Sequence, residues 1–207
     1  SGPPASGTPG KPAREGREAA FGFMHIALLG GAFNPPHNGH TMIAQQVLDF
    51  AGVDEVWFLP NYGQIPPKPV APVSDRLAMT RLIELPHVRV STLEIDHALD
   101  GDTINLVPHL PREHRFVFII GSDQLPTFHL WGRWTELLGK LPFLVFPRYG
   151  YPNEPIYEHM SVVSDELLVG SNISSTKIRA RVKQGLPVEP FIHPAVARYI
   201  AGHALYR

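Results

Sequence analysis

The chain has 207 residues, a formal net charge of −1 at pH 7 and 43% apolar residues, which suits one domain of ordinary size with a substantial core. The near-neutral charge argues against a nucleic-acid binder, because such proteins carry a basic surface. The absence of cysteine excludes a disulfide framework and a thiolate metal site, and it fits a reducing, cytoplasmic compartment. No apolar run approaches the ~18 residues that cross a bilayer, so no membrane partner is expected.

Residues 1–22 differ in composition from the rest of the chain. They are rich in glycine, proline, alanine and serine, and they lack the apolar middle of a secretory signal. We predict a disordered leader here, either native or an artificial extension. A single domain is then predicted over residues 23–207.

After the leader, apolar runs and helical spacings alternate. In chain order they predict a strand over 24–29, a helix over 41–51, a strand over 55–59, a helix over 77–83 capped by Ser74 or Asp75, a strand over 88–92, a short helix over 103–110, a strand over 115–120, a helix over 131–138, strands over 141–146 and 160–163, and helices over 174–184 and 194–205. Apolar strands separated by helices are typical of a parallel sheet covered on both faces. We therefore predict a doubly wound, Rossmann-like α/β fold, whose ligands bind beyond the carboxyl ends of the strands.

A loop over residues 60–72 connects the second strand to the next helix. It holds five of the chain's 22 prolines. Its length favours a lid over the substrate rather than a simple connection.

The most informative motif is Gly-Gly-Ala-Phe-Asn-Pro-Pro-His-Asn-Gly-His at residues 30–40, between the first strand and the first helix. Glycines in a tight turn let backbone N–H groups approach an anion, and the helix dipole adds partial positive charge there. His37 and His40 are three positions apart, so both rings face one side of the first helical turn. The pattern predicts a polyphosphate site, the alternative being a tight turn with two surface histidines.

A second motif, Ser-Ser-Thr-Lys-Ile-Arg, occupies residues 174–179. Hydroxyls at a helix start can cap the helix and also donate to phosphate oxygens. Arg179 lies three residues after Thr176, on the same side of the helix, and its planar fork suits a phosphate. Alone, the motif would equally fit a capped basic surface helix.

Together these motifs resemble those of the bacterial nicotinate-nucleotide adenylyltransferases in the nucleotidylyltransferase superfamily. Three further segments carry the likeness: Phe-Ile-Ile-Gly-Ser-Asp at 118–123, Trp131, and Pro-Arg-Tyr-Gly-Tyr at 147–151. The resemblance covers nearly all of residues 24–205. It implies one nucleotidylyltransferase domain that joins nicotinate mononucleotide to AMP from ATP in NAD biosynthesis, releasing pyrophosphate.

The resemblance also implies the site residues. Three of them act in catalysis by contacting the triphosphate: His37, His40 and Arg179. The implied contacts with ATP come from Gly30, Gly31, Phe33, His37, His40, Gly121, Asp123, Ser174, Ser175, Thr176 and Arg179. The implied contacts with the pyridine mononucleotide come from Asn34, Lys68, Thr103, Trp131 and Arg148. The residues alone also allow Asp123 to be a turn cap, Trp131 a core residue, Lys68 a solvated side chain and Arg148 a surface ion-pair partner.

The implied reaction is an in-line displacement at the α-phosphorus, which needs positioning and charge stabilisation rather than a general base. Mg²⁺ is expected to bind through the ATP phosphates. No Asp/Glu cluster marks a protein cage for it, so no protein metal ligand is predicted. The sequence leaves the oligomeric state open, a homo-oligomer included.

The sequence departs from the family pattern in the half that would bind the mononucleotide. Pro-Pro-Lys-Pro at 66–69 lacks the usual histidine, and Gly-Asp-Thr at 101–103 replaces Ser-Tyr-Thr. Two alternatives therefore stay within the superfamily, with nicotinamide mononucleotide or 4′-phosphopantetheine as acceptor. A third alternative is a non-catalytic nucleotide-binding module, which would not require both motifs.

Overall fold

The computed structural model describes residues 23–64 and 69–207. The predicted leader over 1–22 lies outside the described residues, as does the 65–68 segment of the proline-rich loop, which includes Lys68. Within the described ranges, no helix has the length and apolar character needed to cross a membrane.

The described residues form one six-stranded sheet, and every neighbouring pair of strands is parallel. The strands are β1 His25–Gly31, β2 Glu55–Pro60, β3 Val88–Val90, β4 Arg115–Gly121, β5 Phe143–Phe146 and β6 Met160–Val162. Their spatial order is β3-β2-β1-β4-β5-β6. The predicted doubly wound sheet is confirmed, and its strand order reverses between β1 and β4, where such folds bind ligands.

Helices connect the strands. They are α1 Asn38–Phe50, α2 Val73–Arg81, α3 Leu93–Asp96, α4 Thr103–Leu106, α5 Trp134–Lys140, α6 Ser175–Lys183 and α7 Pro194–Gly202, with 3-10 helices at Val107–His109 and Ser122–Leu130. The short α3 and the 3-10 helix Ser122–Leu130 have no counterpart in the predictions. A four-residue helix shows no periodicity to detect, and Pro126 disguises the 3-10 segment as a loop.

Several predicted boundaries are wrong. The helix predicted over 131–138 begins at Trp134, because Trp131 has extended backbone and Arg133 is left-handed with φ 47°. The helix predicted over 103–110 changes to 3-10 geometry at Val107, next to a proline. Helix α2 begins at Val73 after Pro72, so neither Ser74 nor Asp75 is its cap.

The core has two layers, one on each face of the sheet. Along β1, Ala27 and Leu29 pack on the face covered by α1, α6 and α7, whereas Ile26 and Leu28 pack on the face covered by α4 and α5. Alternate residues of a strand point to opposite faces, so a fully apolar strand needs both layers. This accounts for the continuous apolar runs in the sequence.

A crevice opens at the carboxyl end of β1 and β4. Their pairing ends at Leu28 and Phe118, although the strands continue to Gly31 and Gly121. A Cβ atom at Gly30 would lie 2.8 Å from the Phe118 ring, so only glycine fits here. The motif predicted to bind polyphosphate, residues 30–40, begins at this glycine.

Candidate active site

The two histidines of the first motif stand at the start of α1. His37 is the N-cap with extended backbone, and its backbone N–H donates to Nδ1 of His40 at 3.1 Å. The rings stack with centroids 3.8 Å apart. Because Nδ1 of His40 accepts a hydrogen bond, its neutral ring carries the proton on Nε2. That leaves an N–H donor on His40.

Both histidines are held in the neutral form. Burial, together with the charge of Arg148, lowers the pKa of His37 to about 4. Burial and the neighbouring His37 lower the pKa of His40 well below its usual value. Desolvation disfavours a charged imidazole, so in the free protein this pair offers N–H donors rather than cations.

Two neighbours fix the histidine pair in place. A Cβ at Gly39 would lie 2.9 Å from Nδ1 of His37, so the ring occupies space that only glycine leaves open. Phe33 is 1% exposed and packs against His40 with ring centroids 4.7 Å apart. Since its side chain belongs to the core, Phe33 can meet a ligand only through its backbone.

The second motif meets the first across about 140 positions of sequence. Ser175 Oγ donates to the carbonyl of Pro35 at 2.8 Å, and Arg179 Nη1 donates to the carbonyl of Asn34 at 2.8 Å. Arg179 Nη2 also donates to Thr176 Oγ1 at 3.3 Å. A guanidinium has five N–H groups, so Arg179 keeps donors for a ligand.

Ser174 is the N-cap of α6 and accepts a hydrogen bond from the backbone N–H of Lys177 at 3.3 Å. The predicted use of a hydroxyl as a helix cap is confirmed. The hydroxyl proton of Ser174 remains for another acceptor.

A third group of predicted residues follows β4 and β5. Arg148 Nε lies 3.7 Å from Asp123 Oδ1, and the two side chains are 27% and 31% exposed. Ser122 fixes the Arg148 backbone by accepting its N–H at 2.9 Å. A Cβ at Gly121 would collide with Asp123 and with the Arg148 side chain. Arg148 therefore adds positive charge on the β4 side of the histidine pair.

Known proteins share this sequence over most of its length. A family model described as cytidylyltransferase-like matches residues 28–181. The chain is also 38% identical over 194 residues to the probable nicotinate-nucleotide adenylyltransferase of Anaeromyxobacter sp. (strain K), covering 90% of this chain and 98% of that one. The chain belongs to the cytidylyltransferase-like family.

Further relatives agree with this family. The nicotinate-nucleotide adenylyltransferase of Bacillus subtilis (strain 168) is 32% identical over 190 residues, covering 87% of this chain and 97% of that one. The fold matches that of Plasmodium falciparum nicotinic acid mononucleotide adenylyltransferase complexed with NaAD, with a TM-score of 0.74, 18% identity, and coverage of 88% of this chain and 97% of that one. The resemblance predicted from the motifs is confirmed, and the relatives are nucleotidyltransferases by name.

In this cytidylyltransferase-like chain, the residues predicted to bind the mononucleotide lie in separate segments of the chain. Trp131 is half-buried and lies in an aromatic cluster, with ring centroids 5.1 Å from Phe128 and 6.3 Å from Phe118. Thr103 is 8% exposed at the first position of α4. Lys68 lies outside the described residues. Their contacts with substrate stay predictions.

Asn34 has a structural use that its motif did not reveal. It is 2% exposed, and its Oδ1 accepts the backbone N–H of Ala71 at 3.1 Å and the hydroxyl of Tyr206 at 2.8 Å. Asn34 therefore links the loop between β1 and α1 to Ala71, which precedes α2, and to Tyr206, which follows α7. Its predicted contact with substrate stays a prediction.

Sequence reasoning missed Arg76, whose side chain is fully buried. Its Nη1 donates to the carbonyl of Ala32 at 2.9 Å and its Nε to that of Ala71 at 3.1 Å. Burial lowers the pKa of this guanidinium. Arg76 thus holds the loop between β1 and α1 through its hydrogen bond to Ala32. Nothing in the amphipathic pattern of α2 distinguishes it from a surface arginine.

Sequence reasoning also missed Glu94, which lies after β3 at the carboxyl edge of the sheet. It is 6% exposed, and its Oε2 has no hydrogen-bond partner among the described residues. Burial, and secondarily the charge of Asp100, raise its pKa to about 7.

Within the described ranges, no group of three or more His, Asp or Glu side chains is placed to hold a metal ion. Asp123, a carboxylate of the predicted set, faces Arg148.

Proposed function

We propose that this chain transfers the adenylyl group of ATP to nicotinate mononucleotide, giving deamido-NAD and pyrophosphate. The observation that carries the proposal is the junction of the two motifs, in which Arg179 and Ser175 bond the backbone of the loop that leads to His37. That junction brings together, at the crevice between β1 and β4, groups whose chemistry suits phosphate. The names of the relatives, at 32–38% identity, supply the reaction.

The triphosphate would lie between the starts of α1 and α6. Both helices direct backbone N–H groups and partial positive charge toward the crevice. Arg179 and the hydroxyl of Ser174 suit the β- and γ-phosphates, which leave as pyrophosphate. The histidine pair then lies near the α-phosphate. Binding energy on the leaving group positions the α-phosphorus for attack.

The reaction is a single displacement. An oxygen of the mononucleotide 5′-phosphate forms a bond to the α-phosphorus of ATP while the bond from that phosphorus to the α–β bridging oxygen breaks. The attacking oxygen is already anionic, so no proton needs to be removed. Catalysis rests on alignment and on stabilising charge on the α-phosphate oxygens and the leaving group.

The neutral histidines contribute as hydrogen-bond donors. The Nε2–H of His40 is set by the hydrogen bond that Nδ1 accepts, and a phosphate oxygen is a suitable acceptor for it. Approach of the triphosphate raises the pKa of both rings, because an opposite charge favours the protonated form. Arg148 and Arg179 supply permanent positive charge, as guanidinium groups do.

Mg²⁺ is proposed to enter with the substrate as Mg-ATP, held by phosphate oxygens and water. The ion would neutralise charge on the phosphates. The chain's own groups then orient the complex.

The pyridine mononucleotide would occupy the region of Trp131 and Thr103. The partly exposed indole offers a ring face for stacking on the pyridine. Arg148 is placed to approach its phosphate or carboxylate, and Lys68 is a further proposed contact.

Pyrophosphate release from Mg-ATP tests this proposal, with nicotinate mononucleotide, nicotinamide mononucleotide and 4′-phosphopantetheine supplied in parallel. A clear preference for nicotinate mononucleotide is expected. Activity with another acceptor would retain adenylyl transfer but overturn the substrate. Silence with all three, in folded protein that binds ATP, would favour a non-catalytic nucleotide-binding module.

A further inference from the structure

Tyr206 contributes its side chain to the loop between β1 and α1, residues 32–37. Tyr206 lies four residues after α7, and its hydroxyl donates to Asn34 Oδ1 at 2.8 Å. Tyr206 and Ala204 both have left-handed backbone, with φ of 66° and 52°. This conformation disfavours residues with a side chain, so the turn that returns the chain to the loop is held by the contacts it makes.

Asn34 connects this tyrosine to Arg179. The Asn34 side chain accepts from Tyr206, while the Asn34 carbonyl accepts from Arg179 Nη1 at 2.8 Å. One residue, 2% exposed, thus carries both contacts. A shift of Asn34 would move the carbonyl on which the Arg179 fork rests.

The surroundings of Tyr206 keep its hydroxyl a donor. Burial raises the pKa of the phenol, against the nearby charges of Arg179 and Arg76. The phenol is therefore neutral throughout the physiological range. Its ring packs on the same core layer as α1 and α7.

We propose that Tyr206 is a positioning residue for adenylyl transfer, fixing Asn34 and through it the Arg179 guanidinium that holds the leaving pyrophosphate. The inference rests on the proposed function, because it assigns Arg179 to the phosphates. Tyr206 acts through Asn34 and Arg179 and touches no reacting atom.

Tyr199 provides a matched control. Its hydroxyl donates to Asp75 Oδ1 at 2.8 Å, so it makes a hydrogen bond of the same length from the C-terminal segment to α2. That bond does not involve Asn34. Tyr206→Phe and Tyr199→Phe each lose one phenol hydroxyl and keep the ring, so both variants should fold, with similar small decreases in Tm.

The first measurement is pyrophosphate affinity by calorimetry, which needs no turnover. Tyr206→Phe should bind pyrophosphate about tenfold more weakly than the unmodified chain, because a displaced Arg179 guanidinium makes weaker charge-assisted hydrogen bonds to the ligand. Tyr199→Phe should bind it unchanged. Unchanged affinity in Tyr206→Phe, or an equal loss in both variants, would overturn the inference.

A double-mutant cycle with Arg179→Ala tests whether Tyr206 acts through Arg179. Tyr206→Phe should lower kcat/KM for ATP about tenfold in the original background. In the Arg179→Ala background it should cost less than about twofold, because the group it positions is gone. Equal losses in both backgrounds would refute a role through Arg179. An inactive parent chain would refute the proposed function, whereas pyrophosphate affinity would still decide the role of Tyr206.

Discussion

His37 is a buried ring whose Nδ1 has no hydrogen-bond partner among the described residues. A buried polar atom without a partner is costly, and the ring sits where only glycine leaves space for it. A side-chain placement that lowers the stability of the fold is typical of a functional site. We therefore propose that a substrate phosphate contacts this ring, which a His37 variant can test.

We expect His37→Ala to lower kcat by about 10²–10³, the usual effect of removing a donor from a charge-stabilising site, while Tm changes far less. His97→Ala is the control, since His97 is exposed and stacks on His109. Steady-state kinetics and thermal unfolding of both variants provide the check. Parallel loss of folding and activity in His37→Ala would make His37 structural.

Trp131 lies at the edge of an aromatic cluster rather than at its centre. We expect Trp131→Ala to weaken mononucleotide binding and to spare ATP binding, because only the pyridine would stack on the indole. Trp134→Ala is the matched control; Trp134 packs on Tyr157 with ring centroids 5.0 Å apart. Calorimetric titration with each nucleotide separates the two roles. If Trp131→Ala loses ATP affinity equally, the tryptophan is a core residue.

At the scale of the elements, α1 and α6 both begin at the crevice and are joined through the loop between β1 and α1. The hydrogen bonds from Ser175 and Arg179 to the carbonyls of Pro35 and Asn34 link them. The position of Gly39 in the first turn of α1 controls whether the His37 ring can lie over that turn.

Gly39→Ala should therefore preserve helix α1 but lower catalytic activity. Alanine is favoured over glycine in a helix by about 1 kcal/mol, but its Cβ would displace the His37 ring. We expect kcat to fall at least about tenfold with little loss of stability.

Gly139→Ala serves as the control for that substitution. Gly139 lies in α5, and a Cβ there meets no atom within 4 Å. This variant should gain stability and keep full activity in thermal unfolding and steady-state assays. Full activity in Gly39→Ala would show that the His37 ring position is not required.

At the scale of the whole molecule, stability should depend on pH through groups on both sides of the sheet. The pKa of His37 is lowered to about 4, so between about pH 4 and 6.5 the unfolded chain binds the extra proton and stability falls as pH falls. Glu94 acts in the opposite direction. Its folded pKa of about 7 exceeds the ordinary 4.5, so stability falls as pH rises through that interval.

Glu94→Gln should consequently stabilise the protein at pH 8 and change it little at pH 4, where the carboxyl is protonated in both states. The gain at pH 8 is at most on the order of 3 kcal/mol, from a shift between 4.5 and about 7. Thermal unfolding at both pH values measures it, with exposed Glu113→Gln as the control for loss of one charge. If Glu94→Gln is no more stable than the original chain at pH 8, the folded protein does not disfavour the charged Glu94 carboxylate.

The sequence by itself determined the fold class, and it predicted two motifs suited to phosphate. A parallel sheet buried on both faces requires continuous apolar strands, and a glycine turn before a helix is a local phosphate signal. Both patterns involve residues that are close together in the sequence. The strands predicted at 115–120 and 141–146 lie within one or two residues of the observed β4 and β5 boundaries.

Only the tertiary structure decided how the motifs are held together. The contacts of Arg76 with Ala32 and of Tyr206 with Asn34 join residues 44 and 172 positions apart, so no periodicity or local propensity encodes them. The same is true of the raised pKa of Glu94, which follows from burial by distant segments. Local pattern marks residues whose chemistry suits phosphate, whereas long-range packing sets their position and charge.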